Sequence, residues 1–245
     1  MITIALSGFG KMNKEVFSAA MLDTGFRIAS ILEPHGNKVE GVNVFDEPES
    51  AFASADIVVD FSTKNAAPAN AIAAANLGKN IIIGTTGIAP EDITRIREAI
   101  AKNKTSGVIS ANFSIGVNIF IEAAKFLADR LSAYDMEMLD IHHRLKIDSP
   151  SGTVLRTLQA LNKSDIAYGR KGIGERKKEV GVHSLRVGDV IGDHALIFGG
   201  NAERIELWHK ATSRRCFAQG ALLSAKWIHG KKDGILHDFK DVLNS

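Results

Sequence analysis

Short apolar runs, each ending in a turn rich in glycine and small polar residues, recur along the first 110 residues. Segments with helical spacing separate the runs; within residues 12–24, for example, Val16, Phe17, Ala20 and Met21 share one face. Apolar strands that alternate with helices are typical of a parallel sheet buried on both faces. The predicted strands are Ile2–Leu6, Arg27–Leu32, Ile57–Phe61, Asn80–Ile83 and Gly107–Ser110. The pattern predicts an α/β fold with a Rossmann-like, doubly wound parallel sheet.

The pattern changes after about residue 115, where strands and helices no longer alternate regularly. Helices are predicted over 116–131 and 151–161, and strands over 136–142, 182–187, 195–198 and 204–208. Residues 163–181 are rich in Lys, Arg and Gly without periodicity, which predicts a long loop. We therefore expect a second, α+β domain with a mostly antiparallel or mixed sheet. An amphipathic helix predicted over 216–228 can pack on either domain.

The charge balance and the cysteine count exclude several classes of protein. The 245 residues include 30 Lys and Arg against 28 Asp and Glu, a formal charge of +2, so we expect no nucleic-acid or membrane partner. The single cysteine, Cys216, excludes an internal disulfide framework and is typical of a reducing compartment. No apolar run reaches the roughly 18 residues of a membrane span. These features predict a soluble cytoplasmic protein.

The turn after the first strand has the spacing Gly8-x-Gly10 and opens a helix. Glycines at such a turn let backbone N–H groups approach a pyrophosphate at the helix N-terminus. Asn13 stands where a strict dinucleotide fingerprint has its third glycine, so a tight turn without a ligand remains an alternative. Glu33, at the end of the second strand, is placed to bind an adenosine ribose.

Three further strand ends are also rich in small polar residues, and the carboxyl ends of parallel strands meet at one edge of a sheet. This edge is the predicted cofactor crevice. Its candidate residues are Ser7, Gly8, Phe9, Gly10, Lys11, Met12, Glu33, Phe61, Ser62, Gly84, Thr85, Thr86, Ser110, Ala111, Asn112 and Phe113.

The segment from Asp140 to Thr153 concentrates most of the chemistry. His142 and His143 end a strand, and Arg144 and Lys146 add cations, so this turn is expected to bind anions. The helix start at 151–153 offers N–H groups and hydroxyls to a carboxylate. A solvated basic turn with an ordinary helix cap is the alternative. No metal is expected, since no third ligand lies at a useful spacing and the nearby cations would oppose one.

This segment resembles the signature of the 4-hydroxy-tetrahydrodipicolinate reductase (dihydrodipicolinate reductase) family, roughly E-x-H-H-x-x-K-x-D-A-P-S-G-T. Here Asp140 replaces the usual Glu and Ser149 the usual Ala, and neither departure is expected to touch a catalytic group. Other segments similar to the family are 59–62, 84–87, 111–116, 186–194, 209–214 and 217–221. The resemblance thus runs in order along almost the whole chain.

The resemblance implies a dinucleotide-binding domain built from residues 1–114 and 215–245, and a substrate-binding and oligomerisation domain over 115–214. It implies NAD(P)H-dependent reduction of 4-hydroxy-tetrahydrodipicolinate, a small dicarboxylate, in the diaminopimelate route to lysine, and a homotetramer. It assigns His142 as the acid/base residue and Lys146 as the proton donor. The substrate contacts that we expect are His143, Ser151, Gly152 and Thr153, whereas His183, His194 and His209 are expected to be structural or rim residues.

Two other functions compete with this prediction: another two-domain nicotinamide oxidoreductase, and a dinucleotide sensor or scaffold that has lost the chemistry. The pair His142-His143 with residues 151–153 disfavours the first, and the presence of both His142 and Lys146 disfavours the second. NADH and NADPH are both expected as cofactors, with NADH equal or preferred. The reason is that Pro34 stands where the family often has an arginine for the 2′-phosphate, although His35, Lys38 and Lys11 are near in sequence.

Overall fold

A computed structural model of the protein describes residues 1–34 and 38–245. These residues form two compact units: a first unit of Met1–Ile115 with Arg215–Ser245, and a second unit of Gly116–Arg214. None of the helices in the described ranges is long and apolar enough to cross a bilayer.

The first unit is a parallel sheet of seven strands with helices packed on it. Its strands are β1 (Ile2–Ser7), β2 (Phe26–Leu32), β3 (Asn43–Phe45), β4 (Ile57–Asp60), β5 (Asn80–Ile83), β6 (Gly107–Ile109) and β12 (Leu236–Asp238). Its helices are α1 (Lys11–Met21), α2 (Pro48–Phe52), α3 (Ala67–Asn76), α4 (Pro90–Asn103), α7 (Arg215–Ile228) and α8 (Phe239–Leu243). The strand order is β12-β6-β5-β4-β1-β2-β3, and every pairing is parallel. This confirms the predicted doubly wound α/β fold.

Two apolar clusters hold this sheet, one on each face. The central strands β4 and β5 are buried along their whole length, as their continuous apolar sequences predict. One cluster includes Val16 of α1 and Ile228 of α7, whereas the other includes Phe52 of α2 and Ile100 of α4. The helix α7 therefore belongs to the core of the first unit.

The second unit is a mixed sheet covered on one face by helices. Its elements are α5 (Ile115–Arg130), β7 (Asp135–His142), α6 (Gly152–Ala160), β8 (Ile166–Tyr168), β9 (Val180–Arg186), β10 (Gly192–Gly199) and β11 (Arg204–Ala211). The strand order is β11-β10-β7-β9-β8; β10 is antiparallel to both neighbours, and the remaining pairs are parallel. Met138, Val182 and Phe198 point to the helix-covered face and are buried.

The segment predicted as a loop over 163–181 is partly a strand. Residues 166–168 form β8, which pairs with the start of β9. Arg176 holds the segment by donating to Asp135 Oδ1 (2.7 Å) and to the carbonyl oxygens of Met136 and Glu179. A strand of three residues at a sheet edge has too few side chains to show alternation, so its pattern is not visible in the sequence.

Candidate active site

The turn after β1 is shaped for a close approach of backbone to ligand. Gly8 has φ +78°, and a β-carbon there would lie 3.1 Å from Ser62 Cα. Gly10 is the N-cap residue of α1, and none of the described side chains caps the first turn of this helix. Asn13, in place of the third glycine, is buried and donates from Nδ2 to the carbonyl oxygens of Ser7 (2.7 Å) and Gly8 (2.8 Å). The amide therefore fixes the turn and leaves the helix N-terminus open to an anion.

Glu33 lies at the end of β2, where the sequence predicts it. Its Oε2 accepts a hydrogen bond from Phe9 N (3.0 Å), which joins the end of β2 to the glycine turn. Pro34 comes next in the chain and is exposed. Of the three cations expected near this position, Lys11 and Lys38 are exposed, and His35 lies outside the described residues.

Asp60 connects the ends of three neighbouring strands. The carboxylate is fully buried and accepts from Ser7 Oγ (2.5 Å), Thr85 Oγ1 (2.6 Å) and Asn70 Nδ2 (3.2 Å). Ser62 donates to it from both its backbone N (3.2 Å) and its hydroxyl (3.0 Å). Five donors thus replace water around a buried charge, and they fix β1, β4 and β5 relative to one another.

Phe61 and Gly84 meet at the same edge. A β-carbon on Gly84 would lie 2.0 Å from Phe61 Cε1, so only glycine allows the ring its position. Thr86, two residues further, is exposed. The strand-end segments predicted to meet here are therefore brought together within the first unit.

The turn after β6 is closed by hydrogen bonds among its own residues. Asn112 N donates to Ser110 Oγ (3.2 Å), and Ser114 N donates to Asn112 Oδ1 (2.8 Å). Phe113 is buried between Phe61 and Phe239, with ring centroids 6.1 and 5.0 Å away. Of the four predicted residues at this end, Ala111 is exposed, Asn112 is half-buried, and Ser110 and Phe113 are buried.

Two clefts run along this edge of the first unit. One of about 340 Å³ is lined by Gly8, Phe9, Gly10, Leu32, Glu33, Pro34, Asp46, Pro48, Phe61, Ser62, Thr63, Ala66 and Asn70. The other, of about 440 Å³, is lined by Gly10, Lys11, Met12, Phe61, Ser62, Lys64, Gly84, Thr85 and Thr86. Gly10 contributes to both, and a β-carbon there would project into open space. A glycine turn, an open helix N-terminus and an acid at the end of β2 fit a dinucleotide.

In the second unit the helix-covered face of the sheet ends in a polar cluster. Asp140 and His142 of β7, His194 of β10 and His209 of β11 are on this face, as the strand registers require. Asp140, His142 and His194 are buried. Burial lowers the pKa of His194 to about 4 and also lowers the pKa of His209, so both rings are neutral at neutral pH.

Asp140 is in direct contact with the predicted acid/base residue. Its Oδ1 lies 3.0 Å from His142 Nδ1 and 3.8 Å from His194 Nε2. Burial alone would raise the pKa of the Asp140 carboxyl, but His142 and hydrogen bonds from Ser151 outweigh it and hold that pKa well below its usual range. The replacement at position 140 therefore lies against the residue that is predicted to act as acid/base, contrary to the expectation that it touches no such group.

The same three residues bring potential metal ligands together. One ligand atom from each of Asp140, His142 and His194 lies within 4.8 Å of the others. The expectation that no third ligand lies at a useful spacing was wrong, because His194 reaches the site from another strand. Arg186 Nη2, however, lies 3.2 Å from Asp140 Oδ2, and its positive charge disfavours a cation at this carboxylate.

The basic turn after β7 is held by its own residues. Arg144 N donates to Gly188 O (3.1 Å) and Lys146 N donates to His143 O (3.1 Å). Lys146 Nζ lies 2.7 Å from Asp148 Oδ1, and the lysine side chain is 21% exposed. The turn thus keeps a cation at the surface of the second unit, near the strand end that carries His142.

Three of the predicted substrate contacts lie at the start of α6, and they differ in burial. Ser151 is buried; its amide donates to Asp140 Oδ2 (2.9 Å), and its Oγ accepts from Val154 N (3.4 Å) as the helix cap. Gly152 is exposed and Thr153 half-buried. Ser151 therefore shapes the turn, while Gly152 is open to solvent.

Several residues of these sites carry no clear signal in the sequence. In the sequence, Asp60 cannot be distinguished from any polar residue at the end of a strand. Asn13 is visible only as a departure from the third glycine of the dinucleotide fingerprint. Arg186 and His194 lie far from the 140–153 segment in the chain, and only strand pairing brings them to Asp140. The resemblance did contain both residues within its 186–194 segment, and this similarity was the one signal that could have found them.

Two family models match the chain in succession. The model described as "Dihydrodipicolinate reductase, N-terminus" matches residues 2–113, and the one described as "Dihydrodipicolinate reductase, C-terminus" matches residues 116–243. Together they account for nearly the whole chain.

Curated relatives and solved structures agree with these matches. A 4-hydroxy-tetrahydrodipicolinate reductase of Methanocaldococcus jannaschii is 48% identical over 195 residues, which cover 77% of this chain and 71% of the relative. One from Methanococcus maripaludis is 36% identical and covers 100% of this chain and 99% of the relative. A dipicolinate-bound dihydrodipicolinate reductase from Paenisporosarcina sp. TG-14 has the same fold, with a TM-score of 0.80, 24% identity and 97% coverage of both chains.

Proposed function

The chain belongs to the dihydrodipicolinate reductase family, and from this membership we infer that it reduces 4-hydroxy-tetrahydrodipicolinate to tetrahydrodipicolinate with NADH or NADPH. The reaction is a step of lysine and diaminopimelate synthesis. The match of both family models, over 2–113 and 116–243, carries this function.

The first unit fits the cofactor that this reaction needs. We propose that the N–H groups at the start of α1 bind the pyrophosphate and that Glu33 binds the adenosine ribose. The strand ends around Phe61, Gly84 and Thr85 form the second cleft, which suits the nicotinamide half. Bound there, the reduced nicotinamide supplies the hydride.

The second unit supplies the proton and the charge. Overall, the substrate gains a hydride and a proton and loses its hydroxyl group as water. Hydride transfer places negative charge on a conjugated ring, so cations and a proton source at that ring lower the barrier. We propose that Lys146 donates the proton and that His142 acts as acid/base. Asp148 Oδ1 lies 2.7 Å from Lys146 Nζ and holds this side chain at the turn.

A dicarboxylate needs fixed donors in addition to mobile cations. We propose that Gly152 and Thr153 at the start of α6, with His143, bind one substrate carboxylate. Ser151 contributes indirectly, because its amide and hydroxyl already hold the turn.

We also propose that four copies assemble through the second sheet. Its face opposite to α5 and α6 carries half-exposed apolar side chains, among them Leu139, Ile141 and Ile197, beside the more exposed Trp208 and Leu185. Such a face is typical of a subunit interface. Light scattering tests this: the expected mass is about four times the 26.4 kDa of one chain, and a monomer contradicts it.

A cytoplasmic location is proposed as well, and cell fractionation tests it.

The decisive experiment is a coupled assay. Aspartate semialdehyde and pyruvate are condensed freshly by a synthase, and the loss of reduced nicotinamide absorbance is followed after adding the protein. The expected result is turnover that requires the condensation product. A protein that binds the cofactor without turnover is a sensor, and one that oxidises or reduces sugars or amino acids instead is another dehydrogenase.

A further inference from the structure

The two oxygens of the buried Asp140 carboxylate face different partners. Oδ2 accepts from Ser151 N (2.9 Å), Arg186 Nη2 (3.2 Å) and Ser184 Oγ (3.2 Å). Oδ1 faces the two imidazole rings: His142 Nδ1 lies 3.0 Å away, although the ring is turned so that the two atoms form no aligned hydrogen bond, and neither atom has another hydrogen-bond partner among the described residues. One oxygen is therefore occupied by backbone, guanidinium and hydroxyl donors, and the other is left for the ring that the proposed mechanism uses.

We propose that Asp140 is a positioning residue, which holds His142 with a proton on Nδ1 and so makes Nε2 the nitrogen that exchanges a proton with the substrate. An ionised carboxylate 3.0 Å away repels a lone pair and attracts a proton, so it favours the tautomer in which the facing nitrogen, Nδ1, carries the hydrogen. This inference rests on the proposed function, in which His142 is the acid/base residue.

The neighbour on the other edge of the ring agrees with this assignment. Gly192 of β10 lies beside Nε2, and a β-carbon at this position would come within 2.9 Å of that nitrogen. Glycine thus leaves room at Nε2, while Asp140 holds Nδ1 on the opposite side.

The same carboxylate also fixes the turn proposed to bind the substrate. Ser151 N donates to Oδ2, and Arg186 Nη2 donates both to Oδ2 and to Asp148 O (2.6 Å). A single buried group therefore sets the positions of the acid/base ring and of the helix start at Gly152. Oδ1 faces the His142 ring and Oδ2 holds the turn before α6. A substitution that changes only the Oδ1 position therefore distinguishes the effect on the ring from the effect on the turn.

Asp140→Asn is that substitution. The three donors around Oδ2 require an acceptor, so the new amide places its oxygen there and its NH₂ group toward His142 Nδ1. His142 must then accept at Nδ1 and carry its proton on Nε2. We expect kcat to fall by about 10²–10⁴-fold, because a misplaced tautomer removes acid–base catalysis. KM for the substrate is expected to change less than about threefold, since the Ser151 side keeps its acceptor.

The test measures the tautomer and the kinetics separately. Ring nitrogens of ¹⁵N-histidine-labelled full-length protein are observed by two-bond ¹H–¹⁵N correlation, and His142→Gln identifies the His142 signals. We expect the His142 proton on Nδ1 in the wild type and on Nε2 in Asp140→Asn. In Asp140→Glu we expect the proton to return to Nδ1 and part of the lost kcat to be recovered. The matched control is Asp233→Asn, which removes a carboxylate 2.9 Å from His237 Nε2 in the first unit and should change neither readout.

The outcomes separate the positioning role from the proposed function. An unchanged His142 tautomer in Asp140→Asn, or a rise in KM with kcat retained, overturns the positioning role whatever the activity. If the wild-type protein itself shows no reductase turnover, the proposed function fails, whereas the spectra still decide which nitrogen Asp140 holds.

Discussion

A buried carboxylate organises the candidate site of each unit, but with different partners. Asp60 is surrounded by hydroxyl and amide donors from three strand ends and from Asn70 of α3. Asp140 is surrounded by a guanidinium group, a backbone amide and two imidazole rings. The first arrangement fixes a backbone edge, and the second couples a charge to groups that can exchange protons.

Removing the proposed proton donors should affect turnover far more than binding. For His142→Ala and Lys146→Ala we expect kcat to fall by about 10²–10⁴-fold, the usual contribution of a single acid–base group. The Kd for reduced cofactor, measured by fluorescence titration, should stay within about threefold, because neither residue belongs to the first unit. Lys163→Ala, an exposed lysine just beyond α6, is the control and should keep full activity. Full turnover in either active-site variant would contradict the assigned role.

The choice between NADH and NADPH depends on the charges around Glu33. A 2′-phosphate needs a cation, whereas Pro34 has no charge and the Glu33 carboxylate repels phosphate while accepting from a ribose hydroxyl. Exposed Lys11 and Lys38 offer only surface ion pairs, worth about 0–1 kcal/mol each. We therefore expect a KM for NADH equal to or below that for NADPH, measured in one buffer at one salt concentration.

Substitutions at position 34 sharpen this comparison. Pro34→Arg should lower the KM for NADPH by roughly fivefold and leave that for NADH unchanged, whereas Pro34→Ala should change neither. If the wild type has a KM for NADPH at least tenfold below that for NADH, Pro34 does not set the preference in the way proposed.

Two glycines of β10, Gly192 and Gly199, differ in the space around them. Comparing their alanine variants tests whether the position of the His142 ring matters for activity. At Gly192 an added β-carbon meets His142 Nε2 at 2.9 Å, but at Gly199, the other end of the same strand, it meets no described atom within 4 Å. Gly192→Ala must displace a buried ring, and a misplacement of about 1 Å can cost about 10²-fold in rate. We expect kcat to fall at least tenfold in Gly192→Ala, with Gly199→Ala unchanged in the same assay. Equal activity in both variants would show that the His142 ring adapts without loss.

Elements with a repeated apolar pattern were predictable from the sequence, whereas two short strands at sheet edges, β8 and β12, were not. The strands β1, β2, β4 and β5 and the helix α7 carry several buried apolar residues each, so their patterns are visible. The strands β8 and β12 have three residues each, and pairing with a neighbouring strand defines them. The periodicity of α7 likewise predicts a helix but does not specify the domain on which it packs.

The polar residues of the candidate sites likewise differ in how far the sequence predicts them. The turn from His142 to Thr153 is continuous in the chain, so residue types alone are enough to predict that it binds anions, and this stays a prediction. The contacts of Asp140 with Arg186 and His194 depend on the register of β7 with β9 and β10, which no local pattern specifies. A site assembled across strands is therefore visible in the sequence only through its similarity to a family.

The burial of His194 is expected to make the stability of the whole protein depend on pH. Burial depresses the pKa of His194 to about 4 in the folded state, against about 6.5 when the chain is unfolded. The unfolded chain therefore binds an extra proton between these values, so stability is fully present above pH 6.5 and decreases as the pH falls toward 4. His209, whose pKa burial also lowers, adds to the same trend. The loss assigned to His194 is on the order of 3 kcal/mol at its limit.

Thermal unfolding followed across this pH range tests the assignment. The Tm of the wild type is expected to fall as the pH is lowered from 6.5 to 4, and His194→Gln should show a flatter dependence because the titrating group is gone. His229→Gln changes an exposed histidine of the first unit and should keep the wild-type slope. The carboxyl of Asp140 has a lowered pKa in the folded state and an ordinary one when unfolded, so it contributes to the slope mainly below about pH 5. A slope between pH 6.5 and 5 that is the same in His194→Gln as in the wild type would mean that other groups, and not this buried ring, account for the acid sensitivity.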